Sequence, residues 1–325
     1  MATGRVCTTD EHDNPARQIR APDARRGRRS RVRGVRSTKL IDKLRSWISE
    51  VVSQRLLFTL VVLITLGLFG FLGVVVISGL LGLNAEAQAM GHFSSLSHRI
   101  HDFTFAFLLG TAAVGMLAQL RTPSKNVAGQ LMALIPWVGL MLVIPLTNYW
   151  VAPGAGFVIV ATALFGALTL NAMIFHPTGR SLFRSFSVSP VNRVMFALVI
   201  VAAVPLLVFA LTNIGLQRTV TNDHFSAGHY GFMAAFSFTI IGVGLLASLR
   251  PDGWQLTAWV AGLLPALFGV TSLVYSDIDS SLGTVWALAA IAWGVVFVAV
   301  GERRTQGRGP TQLGARAVKS RSERG

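Results

Sequence analysis

Histidines gather in two short polar segments of an otherwise strongly apolar sequence. His98 and His101 lie three residues apart and would share one face of a helix, while His224 and His229 occupy the second segment. Neutral imidazole binds zinc, copper or haem iron, and a neighbouring carboxylate such as Asp102 can ligate the metal or orient a ring. These four histidines are therefore our candidate metal site.

Two other interpretations of these histidines stay open from the sequence alone. Imidazole titrates near pH 6.5, so the cluster can also serve external pH sensing or acid–base chemistry. Alternatively, the rings form hydrogen bonds that hold loop ends, because the spacing of His92, His98 and His101 matches no specific signature. Cys7 is the only cysteine, which excludes an internal disulfide and any cysteine-based zinc or iron–sulfur site. The identity of any cofactor is unknown from the sequence.

A second candidate site lies within the apolar runs, where two prolines interrupt helices near the middle of the membrane. Pro136 and Pro265 each fall about ten residues into their run, and proline frees a backbone carbonyl by removing one helical hydrogen bond. Interrupted segments at matching positions of two halves indicate a transporter binding site. The candidate cavity therefore includes Pro136, Trp137, Pro265 and Asn171, although prolines also kink membrane helices that bind no ligand.

The elements that must position these residues are long apolar runs. The chain has 325 residues, of which 52% are hydrophobic and 13% charged. A run of about 18 apolar residues can cross the hydrocarbon layer as a helix, whose backbone groups bond within the segment. We therefore expect an all-α integral membrane protein with eight transmembrane helices, near residues 56–83, 102–120, 127–147, 154–175, 194–214, 229–249, 256–275 and 281–301.

An internal repeat relates the two halves of these runs. With a shift of 129 residues, 11 of the 34 positions from 103 to 136 are identical without a gap. The informative matches are Arg121 with Arg250, which end corresponding runs, and Pro136 with Pro265. We predict two parallel four-helix repeats, whereas the alternative is that membrane composition alone produced two similar hairpins.

Basic residues indicate the orientation in the membrane. If the N-terminus lies in the cytoplasm, 27 of the 29 Lys and Arg residues fall in cytoplasmic segments, and only Arg99 and Arg218 do not. This is the bias of cytoplasmic loops toward positive charge. We therefore predict a multi-pass protein of the cell membrane with both termini cytoplasmic. The basic tails would contact anionic lipid, which explains the net charge of +15 without nucleic acid.

The composition also predicts how the chain is divided. Apolar residues recur at helical spacing between 38 and 54, which predicts an amphipathic helix on the membrane surface. The predicted segments are a disordered basic cytoplasmic tail (1–37), the interfacial helix (38–54), the first four-helix repeat (55–176), a cytoplasmic linker (177–193), the second repeat (194–302) and a second disordered basic tail (303–325).

Three functions fit these features. The sequence narrowly favours a small-solute transporter, permease or channel with a pathway between the two repeats. No Asp, Glu, Lys or Arg lies in the middle of a run, which argues against a proton-driven carrier. The first alternative is a metal or haem site at the histidines, for redox, sensing or hydrolysis. The second is a membrane scaffold without a ligand.

Known enzyme motifs are missing, so we predict no catalytic residue. Besides the bilayer, a small solute and further copies of the chain are compatible partners.

Overall fold

Helices account for nearly all of the chain that the computed structural model describes, which comprises residues 28–83, 98–148, 155–179 and 191–306. By compactness the chain divides into two units, residues 1–52 and 53–325. The α-helices are α1 Arg28–Leu80, α2 Arg99–Arg121, α3 Val127–Thr147, α4 Ala155–Ile174, α5 Arg193–Thr219, α6 Asp223–Ala227, α7 His229–Leu249, α8 Trp254–Val274 and α9 Gly283–Gln306, with a short 3₁₀ helix at Pro123–Lys125.

The first unit is described only from Arg28 onward, as the beginning of α1. Residues 28–37, which composition assigns to a disordered tail, are helical here, and residues 1–27 lie outside the described part. The predicted interfacial stretch 38–54 belongs to the same helix, and its apolar residues Ile41, Leu44 and Trp47 are exposed. Its location on a membrane surface stays a prediction.

Within the described ranges, seven helices are long and apolar enough to cross a membrane, which confirms an all-α, multi-pass protein. They are α1, α2, α3, α5, α7, α8 and α9. The predicted count of eight is not confirmed, because the apolar stretch of α4 is shorter, Val158–Ile174. No strand occurs among the described residues.

The second unit is built around two helical hairpins, α2–α3 and α7–α8. Helix α7 is the most buried of the seven spans and packs against α2, α3, α5 and α8. Helix α4 packs on α3, and α9 packs on α8. Helices α5 and α9 leave most of their side chains exposed, whereas α2 and α8 are more buried and less apolar.

Close helix packing depends on small residues at two crossings. A Cβ at Gly262 of α8 would lie 2.5 Å from Val298 and 2.6 Å from the carbonyl oxygen of Gly294, both on α9. A Cβ at Gly115 of α2 would collide with the Gly129 carbonyl of α3. Without an attraction between apolar surfaces in lipid, such close backbone approach is what holds membrane helices together.

The two hairpins are joined directly at one end of the bundle, which we call the loop end, where α2 and α7 finish. The Ala128 backbone N–H donates to the Asp252 carbonyl at 2.8 Å. Gly253 has φ +83°, and a Cβ there would lie 2.9 Å from Cα of Asn126. We call the opposite end, where α2 and α7 begin, the histidine end.

Candidate functional site

Four buried histidines meet at the histidine end of the second unit. His98 immediately precedes α2, and His101 lies in its first turn. His224 belongs to the short helix α6, and His229 is the first residue of α7. Their exposed fractions are 7%, 0%, 8% and 1%, so the imidazole rings are removed from solvent. We call these four residues the histidine cluster.

The rings of the histidine cluster pack directly on one another. The ring centre of His98 lies 4.7 Å from those of His224 and His229. His101 stacks on His229 at 4.9 Å with an interplanar angle of 11°, and lies 4.7 Å from His224. The Nδ1 atoms of His224 and His229 are 3.1 Å apart. The structure thus brings together all four histidines that the sequence singles out.

Helix α6 is held in place by polar side chains that the sequence does not mark as functional. The Asn222 side chain caps it by accepting from the Phe225 N–H at 3.0 Å, and its Nδ2 donates to the Tyr230 hydroxyl at 3.1 Å. Gln217 donates to the Phe225 carbonyl and accepts from the Gly231 N–H. These bonds fix α6 against the start of α7 and so bring His224 beside His229.

Tyr230 is a member of the site that sequence reasoning missed. Its ring is fully buried and lies 5.9 Å from His101 and 5.7 Å from His224. It forms one wall of the cluster and is fixed by Asn222. In the sequence, the only indication that Tyr230 belongs to the site is that it directly follows His229.

Electrostatics favour the neutral imidazole form of His224. Burial lowers the pKa of His224, and the neighbouring His98 lowers it further, while the carboxylates of Asp279, Asp223 and Asp102 oppose the shift. Neutral imidazole is the form that ligates metals. The carboxylates of Asp279, Asp223 and Asp102 would also favour a cation bound beside His224.

The donor geometry fits a small metal ion. One nitrogen from each of His98, His224 and His229 can be chosen so that all three lie within 4.8 Å of one another. Metal–nitrogen bonds of about 2.0–2.1 Å in a tetrahedral site place ligand nitrogens about 3.3 Å apart. The 3.1 Å separation of the His224 and His229 nitrogens is close to that value. The other nitrogen separations are up to 4.8 Å, so the rings would have to close by up to about 1.5 Å to complete the triangle.

Haem ligated by two of these histidines, which the sequence allows, would require their rings to move apart. A porphyrin liganded by two histidines lies between them. Here the imidazoles contact each other at ring-centre distances of 4.7 to 4.9 Å. The histidine cluster therefore suits a bare metal ion.

No protein-family model, no curated protein and no solved structure matches the chain. The site must therefore be interpreted from its own geometry.

The residues predicted to line a cavity do not converge in the same way. Pro136 and Pro265 are buried inside α3 and α8. Trp137 is 2% exposed and packs against Phe69 and Phe165, at ring-centre distances of 5.6 and 5.3 Å. Asn171 is exposed on α4 and donates to the Ala167 carbonyl of its own helix.

A cavity of about 400 Å³ does lie between α3 and α7, but it is an open apolar groove. None of the four predicted cavity residues lines it. Its walls come from leucines of both helices, with Phe238 and the backbone of Gly139 and Gly242. Such a surface, on spans that would face lipid, offers no polar group to recognise a solute.

A second polar cluster, at the loop end, also escaped the sequence analysis. The His176 Nε2 lies 3.2 Å from Gln119 Oε1, and Gln119 Nε2 donates to the carbonyls of Gly115 and Asn126. This cluster joins the end of α2 to the residues that follow α4. An isolated histidine after an apolar run gives no pattern from which it could be predicted.

Proposed function

We propose that the protein is a multi-pass membrane protein that binds a divalent transition-metal ion, zinc or copper, through His98, His224 and His229. The observation that carries the proposal is the convergence of three imidazole nitrogens within 4.8 Å in a buried site. Imidazole suits zinc and copper.

The pathway that the sequence favoured has less support. Its central aromatic residue, Trp137, is packed between rings of α1 and α4, and its one amide, Asn171, bonds within its own helix. Transport through the middle of the bundle therefore stays a prediction, and we place the function at the histidine end.

For the topology, we propose eight crossings with α4 as the eighth. Its 20 residues would be about 30 Å long, the thickness of the hydrocarbon layer. His176, just after α4, contacts Gln119 at the loop end, which supports a complete crossing. Phe105 with Phe232, and Phe107 with Phe236, support parallel α2 and α7, as two parallel four-helix repeats require.

Eight crossings would put both termini on one side. With the distribution of basic residues, this supports cytoplasmic termini in the cell membrane and an outward-facing histidine cluster. Contacts of the basic tails with anionic lipid and self-association remain part of this proposal.

The test is metal analysis of the full chain purified in detergent, for the wild type and for His224→Ala. We expect about one zinc or copper ion per wild-type chain after incubation with the metal and removal of the excess, and loss of that ion in the variant. His176→Ala is the matched control, because His176 is equally buried but belongs to the loop end. A wild type that retains no more metal than His224→Ala refutes the proposal.

A further inference from the structure

The histidine cluster draws its ligands from both hairpins. His98 and His101 belong to the start of α2, whereas His224 and His229 belong to α6 and the start of α7. One ion bound to both groups is therefore a cross-link between the hairpin α2–α3 and the hairpin α7–α8. This cross-link would lie at the histidine end alone.

The fourth histidine packs beside these ligands. His101 is fully buried, stacks on His229 and lies 4.7 Å from His224. Its ring is nearly parallel to that of His229, with an interplanar angle of 11°, so it fixes the orientation of that ligand.

The opposite end of the same hairpin pair needs no ion. There the Ala128 N–H donates to the Asp252 carbonyl, and Gly253 allows the two loops to touch. Between the two ends, the contact of α2 with α7 is made by side-chain packing, with Phe105 and Phe232 at 5.1 Å. The hairpins are thus fixed at the loop end by backbone contacts, and at the histidine end the cluster adds to side-chain packing such as that of Phe103 against Tyr275.

We propose that the ion bound to His98, His224 and His229 holds the two hairpins together at the histidine end, so that metal occupancy controls their separation. This inference rests on the proposed function and adds a regulatory role to the same site. Removing the ion loosens the histidine end while the loop end stays fixed. The external metal concentration is thereby converted into a change of helix spacing.

The experiment measures two distances by pulsed electron paramagnetic resonance on spin-labelled full chain in lipid nanodiscs. Cys7→Ser removes the only native cysteine. Leu146→Cys and Val274→Cys place exposed labels at the histidine ends of α3 and α8. Leu120→Cys and Leu249→Cys place exposed labels at the loop ends of α2 and α7, as the matched control. Diamagnetic Zn²⁺ is the probe, compared with a chelator.

We expect Zn²⁺ to shift the Leu146–Val274 label distance to shorter values and to narrow its distribution, with the Leu120–Leu249 distance unchanged. The shift should disappear in a His224→Ala background. A chain that binds Zn²⁺ stoichiometrically but shows the same Leu146–Val274 distribution with and without it overturns this inference and leaves the proposed function standing. A chain that binds no Zn²⁺ overturns both.

The orienting role of His101 is tested separately by Zn²⁺ competition with a chromophoric chelator. Changing residues that orient metal ligands lowers metal affinity about 10- to 100-fold, so His101→Ala should lower it at least ~10-fold. His101→Gln, which keeps most of the side-chain volume, separates loss of the stacked ring from a simple packing defect. Wild-type affinity in both variants would exclude His101 as an orienting residue.

Discussion

Acid sensitivity at the loop end is the most direct quantitative consequence of this structure. His176 is 3% exposed, and its ring contacts Phe58 edge-on at 5.2 Å. Its Nε2 donates to Gln119 Oε1 at 3.2 Å, while Nδ1 accepts from the Thr178 N–H at 3.3 Å and lies 2.7 Å from the Thr178 hydroxyl. A neutral ring with its proton on Nε2 satisfies this arrangement, and a proton on Nδ1 would oppose the Thr178 N–H.

Burial lowers the pKa of His176 from 6.5 to about 4, although the nearby Pro123 carbonyl opposes the shift. Between these two values the unfolded chain binds a proton at this residue and the folded chain does not. The free energy of unfolding therefore falls as the pH drops from 6.5 toward about 4, and His176 has no such effect above pH 6.5. The full difference corresponds to at most about 3 kcal/mol, and solvent near the helix ends reduces it to about 1–3 kcal/mol.

The perturbation is His176→Gln, which keeps a donor toward Gln119 and removes the titration. The assay is reversible unfolding in mixed micelles at about pH 7.5 and about pH 4.5, followed by tryptophan fluorescence. We expect the wild type to lose about 1–3 kcal/mol more than the variant on acidification. Acidification also lowers the free energy of unfolding through the histidine cluster and the carboxylates, but this change is the same in both proteins and cancels in the comparison. Equal losses, or an imidazole that titrates near pH 6.5 by nuclear magnetic resonance, would refute the reasoning.

Three further predictions concern packing, hydrogen bonding and the metal. Gly262→Ala should destabilise the protein by about 1–3 kcal/mol by overpacking α8 against α9, while Gly215→Ala, whose Cβ meets nothing within 4 Å, should be neutral or stabilising in the same unfolding assay. Trp293→Phe removes the donor to the Leu198 carbonyl and should cost about 1 kcal/mol; an unchanged unfolding midpoint would argue against this bond. Asp279→Asn should weaken Zn²⁺ binding about 2- to 5-fold at low ionic strength, measured against Asp277→Asn, and equal affinities would show that Asp279 does not act on the site.

The sequence predicts much of the histidine site because its parts are local. His98 and His101 share a helical face by spacing, and His101 and His229 open corresponding runs. What spacing cannot supply is the position of His224. That position depends on the short helix α6, which Asn222 and Gln217 hold against α7. These hydrogen bonds follow no periodic pattern in the sequence.

The fold was predictable to the level of membrane helices and no further. The length of each apolar run identifies the spans, because backbone groups in lipid must form their hydrogen bonds within the helix. The status of α4 is less easily judged, because its apolar stretch, Val158–Ile174, lies at the lower limit of length for crossing. The cavity at the prolines stays a prediction: a kink creates space only when neighbouring side chains leave it empty, and Phe69 and Phe165 pack around Trp137.

The unequal burial of the spans has a consequence for biogenesis. Helices α5 and α9 face outward and are apolar enough to remain in lipid by themselves, whereas α2 and α8 are less apolar and more buried. A span of the latter kind gains less free energy from lipid and depends more on packing against its neighbours. During synthesis, α8 would therefore be held more firmly once α9 has followed and the Gly262–Gly294 contact has formed. A chain cut between α8 and α9 should leave α8 less firmly held in the membrane, so the glycine crossing also stabilises the second hairpin during insertion.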